Sequence, residues 1–160
     1  MSEGKIIIGI DPGYGRMGFG VILVEGNKIQ LIDYGVAMTT AGDAFERRLL
    51  SLANDLHEIF EHHKPDAMAI EKLYFGTNTT TAMKVAEARG IANLMAAQAA
   101  IPVFEYTPSQ IKKALTGDGK AGKSAMQKMV KQLLGLPKIP KPDDAADAIA
   151  VAITASTKKW

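Results

Sequence analysis

No cysteine occurs in this 160-residue chain, so neither disulfide bonds nor cysteine-ligated zinc can hold the fold or serve its chemistry. That absence suits a reducing compartment, and the cytoplasm is the expected location. Aromatic residues are sparse, at 6%, and the single tryptophan, the terminal Trp160, is expected to be disordered or lightly packed. No apolar run approaches the roughly 20 residues that cross a bilayer. The run Ile6–Ile10 is also shorter than a secretory h-region, so a soluble protein without a membrane partner is expected. Linkers and repeats are missing as well. Only residues 117–122 and 137–142 read as loosened connections, and residues 1–160 are expected to form one domain.

What is present is a core and an uneven charge. Hydrophobic residues make up 47% of the chain, enough for a single-domain core, and the net charge is only +2. Between Lys112 and Lys141, however, eight lysines face one acid, Asp118, a local excess of +7. Such a block suits a polyphosphate backbone, although a solvated helical face has the same composition.

Residues 5–10 read as a buried strand stopped by Asp11-Pro12-Gly13. Residues 18–24 and 28–34 flank Gly26-Asn27, the kind of connection that closes a hairpin. Phe45, Leu49, Leu52, Leu56 and Ile59 recur at helical spacing, with Asp43 and Glu46 expected to cap the start. A fourth strand over residues 66–70 ends at Glu71. A helix from Thr79 follows, whose small residues Ala82, Ala86, Gly90 and Ala97 could serve the core or a dimer contact. A fifth strand over 102–106, a Thr107-Pro108 helix start, a helix over 124–134 and a last helix from Asp143 or Asp144 complete the chain. These elements predict an α/β fold: a three-strand antiparallel meander plus two parallel strands in one mixed sheet flanked by helices. A right-handed crossover would set strands one and four side by side, with Asp11 and Glu71 at the same carboxyl edge.

Each acid has an ordinary explanation by itself. Asp11 could be a turn former, Glu71 a solvated strand end, and Asp144 and Asp147 helix N-terminal charges on one face. Together they are harder to explain that way. Carboxylates gathered at one point oppose one another's ionisation, and a hard divalent cation removes the conflict. Magnesium fits the all-oxygen set, with manganese tolerated, and a pair of such ions serves phosphodiester hydrolysis.

The motifs Ile8-Gly9-Ile10-Asp11-Pro12-Gly13, Ala69-Ile70-Glu71 with Tyr74, Glu87-Ala88-Arg89-Gly90, and Asp144-Ala145-Ala146-Asp147-Ala148 resemble, in order and spacing, the RuvC family of Holliday junction resolvases. The likeness runs from about residue 5 to about residue 155. It implies a ribonuclease H-like fold and a homodimer that nicks a four-way DNA junction symmetrically, with Asp11, Glu71, Asp144 and Asp147 binding magnesium, two ions per site. It also implies DNA contacts from Lys112 and Lys123 at phosphates, and collaboration with a junction-binding protein and a branch-migration motor. Tyr74, with Phe75 following, lies where a family aromatic stacks on exposed bases, or else it packs in the core. Lys120, in the basic loop, and Arg16 and Arg89 are further phosphate-contact candidates.

Two rivals come from other motifs. Gly117-Asp118-Gly119-Lys120-Ala121-Gly122-Lys123-Ser124 fits the phosphate-loop pattern of nucleotide hydrolases, but residues 111–115 before it look helical, where that pattern requires a strand. Gly9-Ile10-Asp11-Pro12-Gly13 also resembles the first phosphate turn of actin-like and sugar kinases, which need two such domains where this chain has room for one. A resolvase-like protein that binds branched DNA without cutting it is a third reading, disfavoured by the presence of all four acids. No function is expected for His57, His62 and His63, at the exposed end of their helix.

Overall fold

The computed structural model describes residues 3–72, 74 and 78–159, so Phe75 and Trp160 lie outside the described residues. Five strands form one mixed sheet in the order β3-β2-β1-β4-β5. β1 (Lys5–Asp11), β2 (Arg16–Glu25) and β3 (Lys28–Met38) make the antiparallel meander. Gly26, at φ +60°, closes the hairpin between β2 and β3 in a conformation that favours glycine. β2 and β3 run longer than the predicted residues 18–24 and 28–34, because cross-strand pairing continues through Met17 and Ala37 to Arg16 and Met38. β4 (Ala67–Glu71) lies parallel to β1, and β5 (Val103–Tyr106) parallel to β4, as the crossover argument requires.

Helices cover both faces. α1 (Phe45–His63) and α2 (Thr79–Gln98) pack over Ile8, Ile10, Met17, Phe19 and Ile70, burying Leu52, Leu56, Phe60, Ala88 and Ala92. α3 (Pro108–Thr116), α4 (Lys123–Leu133) and α5 (Asp143–Ala155) share the second cluster, with Ile7, Ile22 and Ala69. The strand period of two separates these clusters. Residues 8 and 10 of β1 face α1 and α2, whereas 7, 9 and 11 face α5. That parity aims Asp11, and Glu71 on β4, toward the helix carrying Asp144 and Asp147.

α5 reaches the sheet closely because glycines stand beneath it. A Cβ at Gly9 would lie 2.0 Å from the Ala148 carbonyl oxygen, and one at Gly18 would lie 2.0 Å from that of Asp144. Both clash with backbone that cannot yield locally.

Local expectations fare unevenly. Thr107 caps α3 as predicted, accepting from Gln110 N at 3.1 Å while the Gln110 side chain accepts from Thr107 N at 2.8 Å, a reciprocal capping box. Asp43 does not cap α1, since the N-cap is Ala44 with no side-chain bond, and the Asp43 N–H is turned to the Thr40 carbonyl. His63 is not at an exposed helix end either. Its imidazole is 9% exposed, and Nε2 lies 2.8 Å from Asp33 Oδ2, tying α1 to β3. No helix among the described residues is long and apolar enough to cross a membrane.

Candidate active site

Asp11 ends β1 and Glu71 ends the neighbouring parallel strand, so the sheet presents both at its carboxyl edge. Asp144 and Asp147 stand one turn apart at the start of α5, pressed against that edge by the glycine contacts. Carboxylate oxygens of Asp11, Asp144 and Asp147 all lie within 4.8 Å of one another. Glu71 flanks this trio. It shares one cleft with Asp147 and another with Asp11, and its charge acts on Asp11 more strongly than either α5 carboxylate does.

Burial pushes the Asp11 carboxyl up to about 8, and the negative charges of Glu71, Asp147 and Asp144 add to that effect. Burial also raises Glu71, with Asp147 adding and Lys112 opposing. Asp147 is raised by burial against the pull of Lys123, with Asp144 and Asp143 adding. The set is thus all-oxygen, partly desolvated and mutually repelling. A hard divalent cation fits such a donor set, because its charge relieves a repulsion that Lys112 and Lys123 offset only in part.

Two clefts meet at Glu71. The first, about 310 Å³, is lined by Glu71, Asp147, Lys112, Lys123 and the apolar Ile111 and Met126. Both lysines therefore share a wall with carboxylates. Lys123 is held from the other side, its Nζ 2.8 Å from Asp143 Oδ2, while Gln127 Nε2 donates to Asp143 Oδ1 at 3.1 Å. Sequence reasoning missed Asp143. Its charge was visible beside Asp144, but its partner on α4 was not.

The second cleft, about 240 Å³, is lined by Asp11, Pro12, Glu71, Lys72, Tyr74 and Val85. Tyr74 is 60% exposed there and is not packed in the core. Arg16 begins β2 in the open, its Nη1 3.8 Å from Asp144 Oδ2. Lys120 is exposed in the loop between α3 and α4. Arg89 sits differently from the other cations. Its side chain is 14% exposed, with Nε donating to the Glu71 carbonyl at 3.3 Å and Nη2 2.9 Å from Glu105 Oε1, an ion-pair contact outside hydrogen-bonding alignment. Arg89 thereby braces the end of β4 against β5. The glycine-rich segment 117–122 follows α3 rather than a strand, with Gly117 at φ +83° as that helix's C-cap, so the phosphate-loop context is absent.

Comparison with other proteins shows the family to which the chain belongs. Residues 7–155 match the family model described as Crossover junction endodeoxyribonuclease RuvC. The chain is similar to the protein of that name from Petrotoga mobilis, 52% identical over 147 residues that span 92% of this chain and 90% of that one. Among solved structures it resembles Thermus thermophilus RuvC with a TM-score of 0.88 and 35% identity, covering 94% of this chain and 93% of the other. It likewise resembles T. thermophilus RuvC in complex with a Holliday junction substrate, with a TM-score of 0.87 and 33% identity, covering 94% and 92%.

Proposed function

The chain belongs to the RuvC family of crossover junction endodeoxyribonucleases, and we propose that its cutting centre is the carboxylate group Asp11, Glu71, Asp144 and Asp147 working with magnesium. It is a hydrolase of ribonuclease H-like fold that resolves Holliday junctions. The observation that carries the site assignment is the convergence of Asp11, Asp144 and Asp147 within 4.8 Å, with Glu71 alongside.

Asp11, which feels the other three charges, would hold the magnesium, two ions per site, together with Glu71 and the two α5 aspartates. When bound, magnesium makes water a competent nucleophile and stabilises the departing oxygen. Lys123 and Lys112, on the wall of the first cleft, offset charge that develops on the phosphate. Arg16 and Lys120 remain open to backbone phosphates, and Tyr74 offers its exposed ring to an unpaired base at the branch point. Arg89 supports Glu71 from behind. The products are a 5′-phosphate and a 3′-hydroxyl, without a covalent enzyme intermediate.

Symmetric cutting needs two centres, and a homodimer supplies them. α2 has a face to offer: Met83 and Leu94 are 61% and 48% exposed, and among the described residues nothing lies within 4 Å of a Cβ built on Gly90 between them. A junction-binding protein and a branch-migration motor are the further partners that family membership suggests.

The test is incubation of wild type and Asp11→Asn with a synthetic four-way junction, a linear duplex and an RNA–DNA hybrid, each with and without magnesium. Wild type is expected to nick the junction only with the metal, and Asp11→Asn to lose at least ~10²-fold in rate while still binding it. Undiminished cutting by the variant would falsify the site assignment. Binding without nicks on several junction sequences would indicate a non-cleaving protein, and preference for the hybrid would overturn the junction substrate.

A further inference from the structure

The turn that leaves Asp11 is pinned where β3 ends. Thr39 Oγ1 donates to the Tyr14 carbonyl at 2.6 Å, and Thr39 N donates to the Gly15 carbonyl at 3.0 Å. On this fixed turn the Tyr14 ring meets Phe45 edge-on, with centroids 5.9 Å apart. Two cations share the same ring: Arg48 Cζ lies 5.0 Å and Lys84 Nζ 5.6 Å from the Tyr14 centroid. Arg48 is oriented further by its Nε, which donates to Thr39 Oγ1 at 2.9 Å.

Neither cation forms an ion pair with a carboxylate among the described residues. Gathering two like charges on one ring costs Coulomb energy, while cation–π contacts return only about 0.5–1 kcal/mol each at exposed sites. An anion bound between them would reverse that balance. The guanidinium is preorganised for such an anion by Thr39 and Tyr14, so little side-chain entropy is lost on binding.

Their place in the fold identifies the anion. α1 and α2 cover one face of the sheet, and α3, α4 and α5 cover the other. Arg48 and Lys84 therefore stand on the face opposite to that of Lys112 and Lys123, against the Tyr14 turn into which Asp11 leads. The second cleft runs from Asp11 and Glu71 to Val85, the neighbour of Lys84 on α2. A polynucleotide cut at the carboxylates continues on both sides of the scissile bond, and Lys112 and Lys123 hold only one side. We propose that Arg48 and Lys84, seated on Tyr14, form a second phosphate-binding site that holds the DNA backbone on the α1–α2 side of the cut.

This inference rests on the junction-nuclease reading, and its experiment is independent of cutting. Affinity for a fluorescent four-way junction is measured without magnesium across a series of salt concentrations, for wild type, Arg48→Gln, Lys84→Gln and the double variant. Each single substitution is expected to weaken binding several-fold and to lower the slope of log affinity against log salt by about one, and the double by about two. Thermal melts run alongside. An unchanged slope overturns the proposal, and so does a lowered melting temperature with the slope intact, which would make the two cations a clasp for the turn alone. If wild type shows no preference for the junction, the junction reading fails, and the same slopes on single-stranded DNA still decide the phosphate site.

Discussion

Asp11 carries the tension of the site in one side chain. With its carboxyl pushed up to about 8 from the ordinary 3.8, the folded chain holds a proton there that the unfolded chain releases. Stability is therefore present in full at acid pH and is lost as pH rises through that window. Every tenfold difference in proton affinity between the folded and unfolded chain corresponds to about 1.4 kcal/mol. Asp11→Asn removes the titration, so the metal-free variant should melt at least about 5 °C above wild type near pH 8.5, with the gap closing toward pH 4. Magnesium should raise wild type more than the variant. Melting curves that coincide at every pH would show that the acids do not strain the fold. The four acids were legible in the sequence because motif order singles them out. Asp143's hold on Lys123 and the Tyr14 pairing of Arg48 with Lys84 were not, since those contacts join residues 20 to 70 positions apart that no local pattern connects.

Elements bring the acids together, and α5 does most of that. The strand and helix periods could be read from apolar spacing, and the right-handed crossover rule then gave the parallel placement of β1 and β4 that sets Asp11 beside Glu71. How closely α5 approaches could not, because a glycine in a strand does not announce what lies above it. Nor could the start of α1, where an Asp-x-x-Glu pattern suggested a cap and the backbone turned one residue later. Gly18→Ala tests the approach directly, since its Cβ would fall 2.0 Å from the Asp144 carbonyl oxygen. The first turn of α5 has to move away from the sheet, at a cost of about 1–3 kcal/mol for overpacking. A displacement near 1 Å of Asp144 and Asp147 should lower nicking ~10²-fold in protein that remains folded by circular dichroism. Wild-type rates in Gly18→Ala would mean that the site tolerates a looser α5.

At the scale of the whole molecule, one sheet edge supplies one cutting centre, whereas resolving a junction requires two strands to be cut in symmetric positions. The proposed dimer meets that need through α2, whose buried face, Ala88, Ala92 and Ala96, already serves the core. Met83, Gly90 and Leu94 recur at intervals of seven and four on the other side, and their exposure gives a second copy an apolar stripe to cover. A two-fold contact would repeat this stripe against itself and leave both carboxyl edges free for DNA. Leu94→Glu places a charge in the stripe without touching either cleft, so the carboxylates and basic walls should persist. Light scattering is expected to report a dimer for wild type and a monomer for the variant. On a junction with both cleavable strands labelled, the monomer should produce single nicks in place of paired cuts. Paired cuts from a protein that sediments as a monomer would remove α2 from the assembly, and a variant that stays dimeric would move the contact to another face.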